Sequence, residues 1–283
     1  MLKFLILFFL LAGIFLSCDE EPPSPYDFTY PLQSGNSWTY FREMKKVAVD
    51  SPATNFTVIR DTLFCTVTQP TTLNDSLNVF PFVSYVLPNP ALADLRYYRH
   101  TKTGLFIMAY KINRGLLIIP KESTKKRILF KQTAYHSLAE LEYRLLHPQP
   151  RKAAGDSLYL EDPPVQSLKY PLKVGLQWSY RVAGHPFRID KRVQSKEIVE
   201  TEAGSFYCFK IQWLYDMDNN NQWDEETEII DYVAAQGLIE RHITIRDLIL
   251  TDENGNVIGK ADGHDDYTLI DLNVNIGKTV EIP

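Results

Sequence analysis

The chain has 283 residues, 45% hydrophobic and 12% aromatic, enough to bury one large core or two modest ones. Sixteen Tyr and fifteen Phe, with many Val, Ile and Thr, favour strands over helices. A net charge of -5 leaves no basic footprint and argues against a nucleic-acid partner.

Residues 1–17 read as a signal peptide. Lys3 gives a cationic start, and the apolar run from Phe4 to Leu16 is too short to span a bilayer comfortably. The run ends in Phe15, Leu16, Ser17 and Cys18, which resembles the lipobox of bacterial lipoproteins. That resemblance implies an acylated Cys18 as the mature N-terminus and a lipid anchor in the membrane. Residues 18–28, with Asp19, Glu20, Glu21, Pro22, Pro23 and Pro25, form an acidic, Pro-rich tether. The acidic cluster resembles the surface-export signal of some gram-negative lipoproteins. Asp directly after the Cys also resembles an inner-membrane retention signal in enteric-type sorting. Of the two membranes, the outer is the expected destination.

A first β unit is expected over 29–147 and a second over 168–283, joined by a linker at 148–167 in which Leu158 to Leu160 can form a short strand. Each unit opens on the same motif. Tyr30, Pro31, Leu32, Gly35, Trp38 and Tyr40 recur with identical spacing as Tyr170, Pro171, Leu172, Gly175, Trp178 and Tyr180. In each copy a Gly turn leads into a strand whose Trp and Tyr, two apart, share one face toward a core. Further strands of the first unit are expected at 55–67, 79–87, 96–100, 105–112 and 116–119. One helix is expected, with Ser137 and Glu140 as a capping box, Leu138, Leu141 and Leu145 at helical spacing, and Pro148 beyond it. In the second unit, strands are expected at 177–182, 188–199, 204–213, 229–233 and 237–243. Tyr207, Phe209, Ile211 and Trp213 alternate onto one face, and residues 252–256 make a hairpin turn.

Through the second unit, Pro171-Leu172, Gly175, Trp178 and Tyr180 are followed by Glu197 and Val199. Then come Ala203 to Phe206, Cys208, Lys210-Ile211 and Gly237 to Ile239. This order resembles a family of uncharacterised envelope β-domains, itself similar to the half-open barrel of the lipoprotein-localisation proteins LolA and LolB. The resemblance covers Tyr170 to about Ile243, the first unit sharing only the opening motif, and implies a curved antiparallel sheet able to cover an apolar ligand. It implies no reaction. With the repeat, the expected fold is mainly β, two related antiparallel half-barrel-like units with few helices.

The sharpest polar cluster is acidic. Asp216, Asp218, Asn220, Gln222 and Asp224 stand at places 1, 3, 5, 7 and 9 of a calcium loop, since calcium needs several hard oxygens converging on one point. Asn221 replaces the usual Gly and Thr227 the usual final Glu, so the closing carboxylate would come from Glu226 or Glu228. The competing reading is a solvated hairpin loop. His264, Asp265 and Asp266 read as a hydrophilic turn after Gly263, with a divalent-ion site as the alternative. Cys65 and Cys208 read as buried thiols, with a bridge between them left open. No nucleophile elbow, zincin, P-loop or dinucleotide-binding motif is present. The expected function is a non-enzymatic envelope lipoprotein that binds an apolar ligand or another envelope component. A structural or interaction lipoprotein without a pocket is the alternative, and an unrecognised extracytoplasmic hydrolase the third.

Overall fold

The computed structural model describes residues 28–49, 58–74, 77–90, 93–111, 127–147, 158–182 and 186–276. Cys18 and the expected strand at 116–119 lie outside these residues. The first half of the chain holds β1 (Ser37–Ala48), β2 (Val58–Val67), β3 (Thr71–Leu73), β4 (Leu77–Val86), β5 (Asp94–Thr101) and β6 (Gly104–Lys111). After them come β7 (Arg127–Phe130), β8 (Thr133–Tyr135), helix α1 (Leu138–Leu146) and β9 (Leu158–Lys169). The second half holds β10 (Gln177–Arg181), β11 (Arg188–Thr201), β12 (Gly204–Asp216), β13 (Thr227–Ala234), β14 (Gly237–Thr251) and β15 (Val257–Asn273).

Among the described residues the strands run side by side in the order β10-β11-β12-β13-β14-β15-β1-β2-β4-β5-β6-β9, each paired antiparallel with the next. The sequence halves thus contribute two meanders of six strands to one nearly closed barrel. They are welded by a ladder from Ser37 opposite Asn273 to Ala48 opposite Ala261. A single main core takes buried residues from both. The other seam is different. Among the described residues β9 and β10 share no ladder, and side chains of β10 and β11 reach β9 instead. Trp178 Nε1 donates to the Gln166 carbonyl at 3.0 Å, Lys191 Nζ to that of Ser167 at 3.3 Å, and Arg181 pairs with Glu161.

The linker expected at 148–167 needs correcting, since its described part, 158–167, is strand. Pro163 and Pro164 are accommodated because four residues bulge out of the β6–β9 ladder between the Val165–Ile107 and Leu160–Ala109 pairs. Proline, lacking an N–H, is tolerated where the ladder is interrupted. Residues 264–266 also differ from expectation. They lie mid-strand in β15, because Asp265 points inward to Arg42 while His264 and Asp266 bond Thr244 and His242.

Antiparallel order puts alternate connections at opposite ends. At one end sit the two repeated motifs and the tight turns at 202–203 and 235–236. The motifs are built alike. Gly35 and Gly175 have φ of 91° and 83°, the left-handed region that favours glycine. Gly35 donates to Val67, whose N–H returns to Asn36, each at 2.9 Å. Gly175 donates to Val193, whose N–H returns to Leu176, again each at 2.9 Å. Leu32 and Leu172 are buried behind these turns. The motifs also meet, the Tyr30 N–H donating to the Tyr170 hydroxyl at 2.9 Å, with Phe28 edge-on to Tyr170 and Phe209. This end is sealed by aromatic packing.

The opposite end carries the acidic loop at 217–226, the turn at 252–256 and, of the chain between β6 and β9, the described residues 127–147. In these, β7 and β8 form a hairpin against the end of β14, and α1 follows. The Ser137 hydroxyl accepts from the Glu140 N–H at 3.1 Å, and the Glu140 carboxylate accepts from the His136 N–H at 2.8 Å. The cap thus fixes the helix start as the sequence implies. Leu138, Leu141, Leu145 and Leu146 are buried, and α1 touches strands all round the barrel. Tyr215 of β12 donates to the Leu145 carbonyl, Arg42 of β1 faces Glu142, and Arg96 of β5 meets His147. The helix therefore lies in the lumen.

Candidate functional site

The lumen is where the strands bring polar groups together, and alternation explains which ones. Arg42 is in phase with Trp38, Tyr40 and Met44, and Lys191 with Ile189 and Val193. Asp231 follows the same rule with Ile229 and Val233, and Arg241 with Ile239 and Ile243. A strand that points its even or odd set inward must carry these charges inward too.

Two ionic groups result. In the first, Arg42 Nε donates to both oxygens of Asp265, at 3.0 and 2.9 Å, and the Tyr267 ring lies beneath the guanidinium. In the second, Arg241 donates to Asp231 at 2.6 and 2.9 Å and Trp213 Nε1 donates to the same carboxylate at 2.8 Å. Burial alone would raise the Asp231 carboxyl, but Arg241 overrides it and holds the group below the usual range. Lys191 sits beside this pair, only 3% exposed, its ammonium 3.8 Å from the Trp213 ring centre and 4.5 Å from that of Tyr180. Burial pushes Lys191 down to about 7. Asp231 pulls against that shift, and Arg241 and Arg96 add to it.

Below the helix end, Arg96 bonds His147, and Arg181 pairs with Glu161 beside the stacked Tyr110 and Tyr159 rings. Burial, then Arg96, keeps His147 well below its ordinary value, so the imidazole is neutral near pH 7. Cys65 and Cys208 are free and buried, and burial pushes both thiols up to about 12. These are thiols without thiolate character. Arg42, Arg181 and Arg241 are spent on Asp265, Glu161 and Asp231, while Lys191 and Arg96 face aromatic rings, a backbone carbonyl and a neutral imidazole.

Two cavities among the described residues hold about 10 Å³ and about 40 Å³. The smaller lies between Arg96, Tyr110, His147, Glu161 and Tyr180. The larger lies between Arg42, Leu63, Glu142, Tyr143 and Tyr267. Such spaces suit a water or two, whereas small-molecule sites run to roughly 300–1,000 Å³.

The acidic loop leaves β12 at Asp216, which is buried. Its oxygens accept from the Asn220 and Asn221 N–H groups, each at 2.9 Å, and Asn220 Oδ1 accepts from the Gln222 N–H. Asp224 accepts from the Met217 N–H. The centre holds an ammonium. Lys131, from the β7–β8 turn, bonds Asp224 and stands 3.7 Å from Asp218 and 3.6 Å from Glu226. Glu228 points elsewhere, to Arg246. Three of the carboxylates picked out as calcium ligands thus converge on a tethered cation, while Asp216 and Glu228 do not. Of the aromatic face expected on β12, Phe209, Ile211 and Trp213 are buried. Tyr207 is exposed beside its cross-strand partner Ile198 near the hairpin tip.

No protein-family model and no curated protein matches the sequence. Two solved structures are similar. One is a protein of Bacteroides fragilis NCTC 9343, inferred to be exported and having a YmcC-like fold. It is 12% identical over 87% of this chain and 99% of that chain, with a TM-score of 0.35. The other is a protein of Parabacteroides distasonis ATCC 8503, inferred to be a lipoprotein. It is 14% identical over the same shares of each chain, with a TM-score of 0.28.

Proposed function

We propose that this is a lipid-anchored envelope protein, non-enzymatic, that works through its outer surface as a structural or interaction component rather than by holding a ligand. The observation that carries this reading is the filled lumen. Helix α1 and the packed aromatic and ionic groups occupy the space that an open half-barrel would offer to a guest. The anchor reading rests on the apolar run ending at Ser17 and Cys18, and the outer membrane is its destination. The acidic loop takes Lys131 in place of calcium.

A second reading, an apolar ligand under the curved sheet, is favoured by one feature. The volume filled by Leu138, Leu141, Leu145 and Leu146 is the volume an acyl chain would take if α1 withdrew. Native mass spectrometry of the protein extracted from membranes separates the two. Surface action predicts the acylated chain alone or with a protein partner. A stoichiometric co-purifying lipid beyond the covalent anchor would overturn it in favour of the second reading.

A further inference from the structure

Helix α1 meets the barrel through buried leucines, the Tyr215 bond to Leu145 and the Arg96 contact at His147, and its Glu142 side carries a charge imbalance. Glu142, 2% exposed, faces Arg42 of β1 and Asp265 and Tyr267 of β15, with Asp61 of β2 on the far side of the guanidinium. Tyr143 and His147 flank it on its own helix. Arg42 is committed to Asp265 and stands 3.5 Å from Glu142 and 3.6 Å from Asp61. His147 is neutral near pH 7, so three carboxyl groups share one guanidinium. Neither oxygen of Glu142 has a hydrogen-bond partner, and the side chain borders the 40 Å³ cavity. A carboxylate so placed has lost its water, and the one donor it faces, Arg42 Nη2 at 3.5 Å, is already bonded to Asp265 at 2.8 Å. With a proton it needs no countercharge and can itself donate to Asp265.

We propose that α1 is an internal plug latched by protonated Glu142 donating to Asp265, and that loss of this proton unseats the helix from the barrel wall. Burial, then the charge of Asp265, holds the Glu142 carboxyl well above the usual carboxylate range. Burial raises Asp61 as well, so the site resists a second negative charge. The sign follows. A raised carboxyl stabilises the seated helix fully below the ordinary carboxyl range, and that contribution is lost as pH rises through the raised value. The wall leaves little room for a partial shift. A Cβ on Gly263 would stand 2.5 Å from Leu138 Cδ1, so helix and strand are fitted closely at that point. On deprotonation the proton passes to solvent, and the new carboxylate gains hydration only by leaving the lumen.

Hydrogen exchange of residues 138–146 in the full chain in detergent, corrected for the intrinsic rate at each pH, reads the latch directly. Global unfolding would mix in Lys191, whose contribution has the opposite sign. In the wild type, opening of α1 should rise up to about tenfold per pH unit between the ordinary carboxyl range and the raised value. Glu142→Gln keeps the shape and a permanent donor, so its helix should stay protected at every pH. A wild type with flat protection, or a Glu142→Gln chain with the wild-type pH dependence, overturns the proposal. Infrared spectroscopy covers the case in which the variant fails to fold. The wild type at neutral pH should show the carbonyl stretch of a buried protonated carboxyl, titrating at the same midpoint as helix opening, and its absence refutes the latch.

Discussion

Replacing Lys191 by Met should stabilise the protein at mildly acidic pH and lose that advantage as the pH rises. The amine falls from its ordinary 10.5 to about 7 inside the barrel. Each unit is worth about 1.4 kcal/mol, so holding the charged form costs roughly 4–5 kcal/mol. Met fills much the same volume without the charge, so a net gain of roughly 1–3 kcal/mol is expected below the folded value. Between about 7 and 10.5 the unfolded chain binds the proton and the folded chain does not, so wild-type stability climbs with pH. The advantage of Lys191→Met should therefore shrink by about 2–3 kcal/mol between about pH 6 and about pH 9. Urea unfolding of both chains at the two pH values measures this as a difference of differences. Equal effects at both values would mean that Lys191 is hydrated and charged throughout, and the picture of a dry lumen would fall with it.

Gly237 has φ of 116°, and a Cβ there would stand 2.8 Å from the Trp38 indole nitrogen, which donates to the Gln236 carbonyl. Gly237→Ala should cost about 2–4 kcal/mol in urea unfolding, and a change under about 0.5 kcal/mol would contradict that fit. Wild-type thermal unfolding should be the same in calcium and in chelator, because the Lys131 ammonium holds the centre of the acidic loop. Lys131→Met should gain about 2.7 kcal/mol at a hundredfold excess of calcium over its Kd, and a variant indifferent to calcium would show that the carboxylates do not make a cation site. Cys18→Ser should move the protein from the membrane to the soluble fraction on cell fractionation. A wild-type chain that is already soluble and unacylated would remove the anchor.

Strand positions were largely legible because alternation and turn chemistry are local. Gly204, Gly237 and the turn at 252–256 mark hairpins that the structure has. The capping box placed α1 for the same reason. The β7–β8 hairpin was not legible. Its turn uses Lys131 and Gln132 at φ of 42° and 66°, where sequence signals look for Gly or Asn. Nor could periodicity reveal that β15 closes onto β1, since pairing over such a distance leaves no local trace. The lumenal charges left a readable signal that motif searching passes over. Arg42, Lys191, Asp231 and Arg241 each interrupt an inward-facing apolar set at the correct spacing of two. Glu142 does the same on the helix, one turn beyond Leu138. A charge in phase with a buried face needs a partner inside, and that rule pairs the residues in kind. It does not say which with which.

The side-chain seam between β9 and β10 bears on how the chain reaches this shape. In the natural order β1 waits for the last strand to be made, since Asn36 and Asn275, bonded at 2.9 Å, lie 239 residues apart in sequence. Closing a loop of that length costs roughly 5 kcal/mol in chain entropy before any contact offsets it. Both ends of the described chain come together there, while the connection at 170–176 spans the one boundary without a ladder. A circular permutant opened in that connection, with a short bridge joining the present ends, would turn β15 and β1 into a hairpin. Along the main strand path every ladder except that from β6 to β9 would then join near neighbours in sequence. Its contact order would fall and its folding would quicken, while the barrel itself would be unchanged.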